Sequence, residues 1–173
     1  MKITFKRFTY SERMSEETYC FNAIVCLDGV ACFEASNRGT GGADEYRPLQ
    51  CTQESREKMG AAMQRLVAHA RTLPDAMEHD MLNVELVIAE AVTDELERRA
   101  KQKFVRDLGR YVFMAEKGKL YRLPVRQPEH ISALVADVER KHPGSTVLNA
   151  LDADKAWKFA QPVLFPRQQQ VPA

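Results

Sequence analysis

The feature that most restricts this chain is the stretch from Tyr19 to Pro48, where Asp28-Gly29 separates two apolar runs. Tyr19-Cys20-Phe21-Asn22-Ala23-Ile24-Val25-Cys26-Leu27 is rich in β-branched and aromatic residues and lacks Gly and Pro, which suits a pleated strand. A type I′ turn needs positive φ at both central residues. Asp tolerates that and Gly adopts it freely, so the pair predicts a hairpin with Leu27 opposite Val30. Continued without interruption, the register sets Val25 against Cys32, Ile24 against Phe33 and Ala23 against Glu34. Leu27, Val30, Val25, Cys32 and Phe21 then share one face, and Cys26, Ala31, Ile24 and Phe33 the other. A ribbon apolar on both sides near its turn requires cover on both, from the chain's own helices or from a second molecule.

The hairpin runs into Ser36-Asn37-Arg38-Gly39-Thr40-Gly41-Gly42-Ala43-Asp44-Glu45-Tyr46, a loop whose glycines let the backbone approach an anion or another main chain. It is not a P-loop, because no Gly-Lys-Ser/Thr follows, and it lacks the dinucleotide spacing. The bland reading is a loop leaving an edge strand, with glycines at positive φ. The sharper reading is a recognition loop formed by Asn37, Arg38, Gly39, Gly41, Gly42, Asp44 and Tyr46, for a protein or for a small ligand or nucleotide.

Before the hairpin, Ile3 to Thr9 reads as a strand and not as a signal peptide, and no apolar run reaches membrane-spanning length, so a cytoplasmic protein is expected. A hydrophobic share of 45%, a charged share of 28% and a net charge of +1 describe ordinary globular material. That balance argues against a DNA mimic, which would be strongly acidic, and against a simple nucleic-acid coat, which would be strongly basic. Cys20, Cys26, Cys32 and Cys51 show no CxxC spacing, and His69, His79, His130 and His142 form no HExxH pair. Buried free thiols and no metal or cofactor are expected.

Beyond Pro48 the apolar period lengthens. Met59, Ala62, Met63, Leu66, Val67, Ala70 and Leu73 mark one helix face, with Thr52 or Ser55 as cap. A second helix runs from about Asp80 to Arg106 with no Gly or Pro, carrying Met81, Val84, Ile88, Val92, Leu96, Ala100 and Phe104. Its charge is polarised: eight acids and no Lys or Arg lie between Leu73 and Glu97, then ten bases against Asp107 and Glu116 between Arg98 and Arg126. The helix macrodipole accounts for charge in the terminal turns, but the basic run continues past them. A basic patch of Arg98, Arg99, Lys103, Arg106, Lys119 and Arg122, with Tyr111 and Tyr121 for stacking, is therefore a candidate nucleic-acid surface.

Tyr111 to Ala115 and Leu120 to Leu123 read as a second hairpin around Gly118. Pro128 opens a third helix with Ile131, Leu134, Val135 and Val138 inward, and Thr146 to Leu148 is a brief strand. Asp152 caps a short helix in which Trp157 anchors the core. The expected fold is α+β: one mixed or antiparallel sheet of five to six short strands packed with two long helices and one or two shorter ones. The expected organisation is a single domain over 1–160 and a tail over 161–173 whose three prolines and glutamine run make it extended or disordered, apart from a docking of Val163-Leu164-Phe165.

Cys20 to Ala23 through Leu27-Asp28-Gly29, then Ser36-Asn37-Arg38-Gly39-Thr40-Gly41-Gly42, Lys117-Gly118-Lys119-Leu120-Tyr121 and Leu148-Asn149-Ala150-Leu151, together resemble a group of small uncharacterised proteins encoded by bacteriophages and prophages. The resemblance implies a mobile-element source and supplies no activity, catalytic residue or cofactor. Asp44 and Glu45 are adjacent and point oppositely on a strand, Ser36 has no nearby base, and the cysteines have no evident His partner. The functional expectation is a non-catalytic, cytoplasmic binding protein, an accessory factor that inhibits or redirects a host defence complex, with homo-oligomerisation also open. A nucleic-acid-binding module over 98–126 and a ligand site at the glycine loop are the alternatives.

Overall fold

The Asp28-Gly29 turn closes as its chemistry dictates, with φ +50 at Asp28 and +85 at Gly29. It joins β2 (Cys20–Leu27) to β3 (Val30–Arg38) in a computed structural model that describes residues 1–74 and 78–166. Leu27 faces Val30 and Cys26 faces Ala31, but Val25 then faces Phe33, Ile24 faces Glu34 and Ala23 faces Ala35. The uninterrupted register expected from sequence is thus wrong by one residue, because Cys32 is the extra residue of a β-bulge. The bulge flips the side-chain parity of the rest of β3. Phe33, Ala35 and Asn37 join Phe21, Ala23 and Val25 on the covered face, while Glu34 and Arg38 turn to the side of Asn22 and stay exposed. Without it Glu34 would be driven inward and Phe33 out. Cover on both faces is confined to the turn end, where Val25 and Leu27 are buried on one side and Cys26 on the other.

β1 (Ile3–Tyr10) lies antiparallel to β2. Its ladder is interrupted between Lys6 and Thr9, where Arg7 takes φ +51 and Phe8 is buried against Phe5 and Phe21. β4 (Glu45–Pro48) was not anticipated. It pairs antiparallel with β3, from Phe33 opposite Pro48 to Ser36 opposite Glu45, and completes the order β1-β2-β3-β4. α1 (Gln53–Ala70) starts at Thr52, whose side chain accepts a hydrogen bond from the Ser55 amide, and it packs on β3 and β4 with Ala62, Leu66 and Ala70 buried. α2 (Asp80–Asp107) buries Val84, Val87, Ile88 and Val92 along one stripe.

Where the sequence suggests one domain over 1–160, the backbone divides within α2 into two compact units, Met1–Glu95 and Leu96–Ala173. The C-terminal unit has its own antiparallel sheet, β5 (Tyr111–Glu116), β6 (Lys119–Pro124) and β7 (Thr146–Val147), in the order β6-β5-β7. Lys117 and Gly118, at φ +49 and +74, make a second type I′ turn. Phe113 packs with Phe104 of α2 and with Leu148, Ala156, Trp157 and Ala160, so α4 (Ala153–Leu164) covers that face. Val112 and Met114 point the other way, onto Val138, Ile131, Leu134 and Val135 of α3 (Ile131–Lys141).

The class is α+β, but the described residues form seven strands in two antiparallel sheets and not five to six in one. The first residues of the expected tail are ordered. Gln161 to Leu164 is the last turn of α4, and Phe165 packs on the C-terminal core. Residues 167–173 lie outside the described residues. No described helix is long and apolar enough to cross a membrane.

Candidate functional site

The glycine loop is organised from within by Asn37, which the bulge turns onto the covered face and which is 8% exposed. Its amide nitrogen donates to the Gly42 carbonyl at 2.9 Å and to Asp44 Oδ1 at 2.8 Å. Its oxygen accepts from the Thr18 hydroxyl and the Gly39 amide, both at 2.8 Å. Tyr46 donates to Asp44 Oδ2 at 3.1 Å. The Gly39 carbonyl accepts from the amides of Glu16 and Glu17 at 2.9 and 3.0 Å and of Thr18 at 3.4 Å, fastening the loop to the β1–β2 connection. Burial raises the Asp44 carboxyl above the usual carboxylate range, against the hydrogen bonds from Asn37 and Tyr46 and with a further push from Glu85. Burial, then the charge of Asp44, raises the Tyr46 phenol. Asn37, Gly39, Gly42, Asp44 and Tyr46 therefore form one connected network that shapes the loop. Arg38 points into solvent, 3.5 Å from Glu45, and Gly41 and Gly42 are exposed.

The basic segment divides differently. Lys103 and Arg122 converge on a cleft of about 290 Å³ in the C-terminal unit, lined also by Ala100, Phe104, Asp107, Phe113, Leu120, Tyr121, Val163 and Leu164. Ala100, Lys103, Phe104 and Asp107 stand at i, i+3, i+4 and i+7, so one stripe of α2 forms a wall. Phe113 and Leu120 share a face of the β5–β6 hairpin with Arg122. The end of α4 supplies Val163 and Leu164. Phe104 and Phe113 meet edge to face at 5.0 Å and make the floor. The Arg122 guanidinium lies 5.1 Å from the centre of the Tyr111 ring, a cation–π contact that orients it.

Arg106 and Lys119 are exposed and, like Lys103 and Arg122, form no ion pair among the described residues. Arg98 and Arg99 are exposed, each has an interaction of its own, and neither lines the cleft. Lys101 is drawn off by Asp154 at 2.6 Å. The apolar lining is open to solvent: Val163 and Leu164 are each 44% exposed and Tyr121 43%, and Phe159, one turn before Val163 on α4, is 51% exposed. The apolar lining was missed from sequence. The helical spacing from Ala100 to Phe104 was a readable signal, and Val163 and Leu164 were expected only to dock from the tail, with no cleft assigned to them.

Of the four free cysteines, Cys26 and Cys32 are buried and Cys20 is half-buried, while Cys51 is exposed, contrary to the expectation of buried thiols throughout. No group of three or more His, Cys, Asp or Glu side chains that could hold a metal ion occurs among the described residues. Compared with known proteins, the chain matches no family model, no curated sequence and no solved structure.

Proposed function

We propose that this chain is a non-catalytic binding protein whose partner is another protein, docked on the C-terminal unit. The observation that carries the reading is the cleft, where apolar side chains stay open to solvent next to Lys103 and Arg122, cations without an ion pair among the described residues. Apolar area left in water forgoes about 25 cal/mol per Å², which association recovers. Asp44, a partly buried acid, has both carboxyl oxygens engaged by Asn37 and Tyr46 and serves the loop. The resemblance to phage and prophage proteins extends the proposal: the partner is a host complex, a defence complex for instance, bound and inhibited or redirected in the bacterial cytoplasm.

The test is capture from a bacterial lysate by the immobilised full chain and by Lys103→Glu/Arg122→Glu. A stoichiometric protein held by the first and lost from the second is expected. Recovery of no stoichiometric protein by the unaltered chain overturns the proposal. A second reading, nucleic-acid binding, is favoured by the exposed cations Lys103, Arg106, Lys119 and Arg122, which form no ion pair among the described residues, together with the exposed Tyr121. It requires an affinity that falls steeply with salt. The large share of aliphatic and aromatic surface on α4 counts for protein over phosphate backbone.

A further inference from the structure

The size and charge of the cleft say what part of a partner it takes. Its volume of about 290 Å³ lies at the lower limit of small-molecule sites, roughly 300–1,000 Å³, so a dinucleotide is too large and apolar anchor side chains fit. Its floor is the Phe104–Phe113 pair, with Ala100, Leu120 and Leu164 around it, so the anchor must be apolar. Among the lining residues Lys103 and Arg122 stand against one acid, Asp107, so the flanks of the anchor must be acidic. Arg122, already stacked on Tyr111, needs little reordering to meet a carboxylate. We infer that the cleft binds a short acidic segment of a partner protein through a large apolar anchor, Phe, Leu or Trp, with flanking Asp or Glu on Lys103 and Arg122. This rests on the protein-binding reading above and names the chemistry of the partner.

The experiment is selection from a display library of random 12-residue segments on the full chain, followed by fluorescence anisotropy with the enriched peptides. Enriched segments are expected to be acidic with one large apolar residue. Truncating that residue to Ala is expected to weaken binding at least ten-fold. Lys103→Glu/Arg122→Glu, both exposed and checked for unchanged circular dichroism, is expected to do the same. Leu164→Ser, which alters the wall without touching charge, is expected to weaken binding several-fold.

Enrichment of basic or anchor-free segments overturns the inference. So does binding indifferent to all three changes in the cleft, tight salt-sensitive binding of a mixed single-stranded oligonucleotide in preference to the peptides, or a dimer that Lys103→Glu dissociates. If no segment is enriched while the lysate still yields a stoichiometric partner, the inference fails and the protein-binding reading stands. If neither appears, both fail.

Discussion

Gly39→Ala should be the most damaging glycine substitution in the N-terminal unit, and its cost can be built from the geometry. Gly39 sits at φ +87, a left-handed conformation that costs alanine about 1–2 kcal/mol. A Cβ there would stand 2.0 Å from the Met14 carbonyl oxygen and 2.9 Å from the Cys20 Cβ. The first obstacle is backbone and cannot swing away, so the segment after Met14 must shift. That segment supplies the Glu16, Glu17 and Thr18 amides to the Gly39 carbonyl. Weakening two such bonds, at roughly 0.5–1.5 kcal/mol each, brings the total to about 2–5 kcal/mol.

Two controls separate strain from clash. Gly29 has φ +85 and nothing within 4 Å, so Gly29→Ala should cost the backbone term alone. Gly41, at φ +82, meets the Glu17 side chain, with its carboxyl end too close and its Cβ in ordinary contact at 3.4 Å; the carboxyl can turn aside, so Gly41 should behave like Gly29. Urea unfolding followed by circular dichroism gives the stabilities, and native-state hydrogen exchange at the Glu16 and Glu17 amides localises the damage. A Gly39→Ala protein within about 0.5 kcal/mol of Gly29→Ala, with those amides still protected, would refute the view that this loop is fastened from below.

Gly60 is exposed within α1 with open space around it, so Gly60→Ala should stabilise by about 0.5–1 kcal/mol, read as a higher thermal midpoint; no gain would mean that α1 frays there. Asn149 accepts from the Phe113 amide at 2.7 Å and donates to the Leu108 and Tyr111 carbonyls at 2.9 Å, so Asn149→Ala should cost about 2–4 kcal/mol. The fluorescence of Trp157, the one tryptophan in the chain and part of the C-terminal core, reports that loss, and an unmoved transition would contradict it.

Burial raises the Asp44 carboxyl, so its contribution is favourable below the unfolded-state value and is lost as pH rises through the higher folded-state value. Asp44→Asn should therefore flatten the fall in stability just above the ordinary carboxylate range, measured as urea midpoints in steps of pH. An unchanged slope would remove Asp44 as the cause. Asp28 titrates with the opposite sign: the Lys2 amide and Arg65 hold its carboxyl low, so its contribution is lost only as pH falls.

What the sequence made legible was chemistry settled by neighbours along the chain. Asp28-Gly29, Thr52 and Asp152 each act through one or two adjacent residues, and each does in the structure what its type requires. The bulge at Cys32 was hidden because Val30, Cys32, Phe33 and Ala35 offer an apolar alternation in either parity. The choice is made by Glu34, which one register exposes and the other buries. β4 was hidden because Glu45-Tyr46-Arg47-Pro48 has the composition of an edge strand, held by its ladder with β3. The division into two sheets is a matter of long-range strand pairing, and α2 runs through it without a Gly or Pro to mark it.

The cleft was lost in the tail begun at Gln161, whose first proline, Pro162, stands inside α4, where a proline forfeits a hydrogen bond and costs ~3 kcal/mol or more in a helix interior. Here the preceding turns are already anchored by Ala156, Trp157 and Ala160. Past the proline the Phe165 amide still donates to the Gln161 carbonyl at 2.8 Å, and the Phe165 ring packs on the core. Tied on both sides, the last turn persists, and it is this turn that sets Val163 and Leu164 beside Lys103 and Arg122.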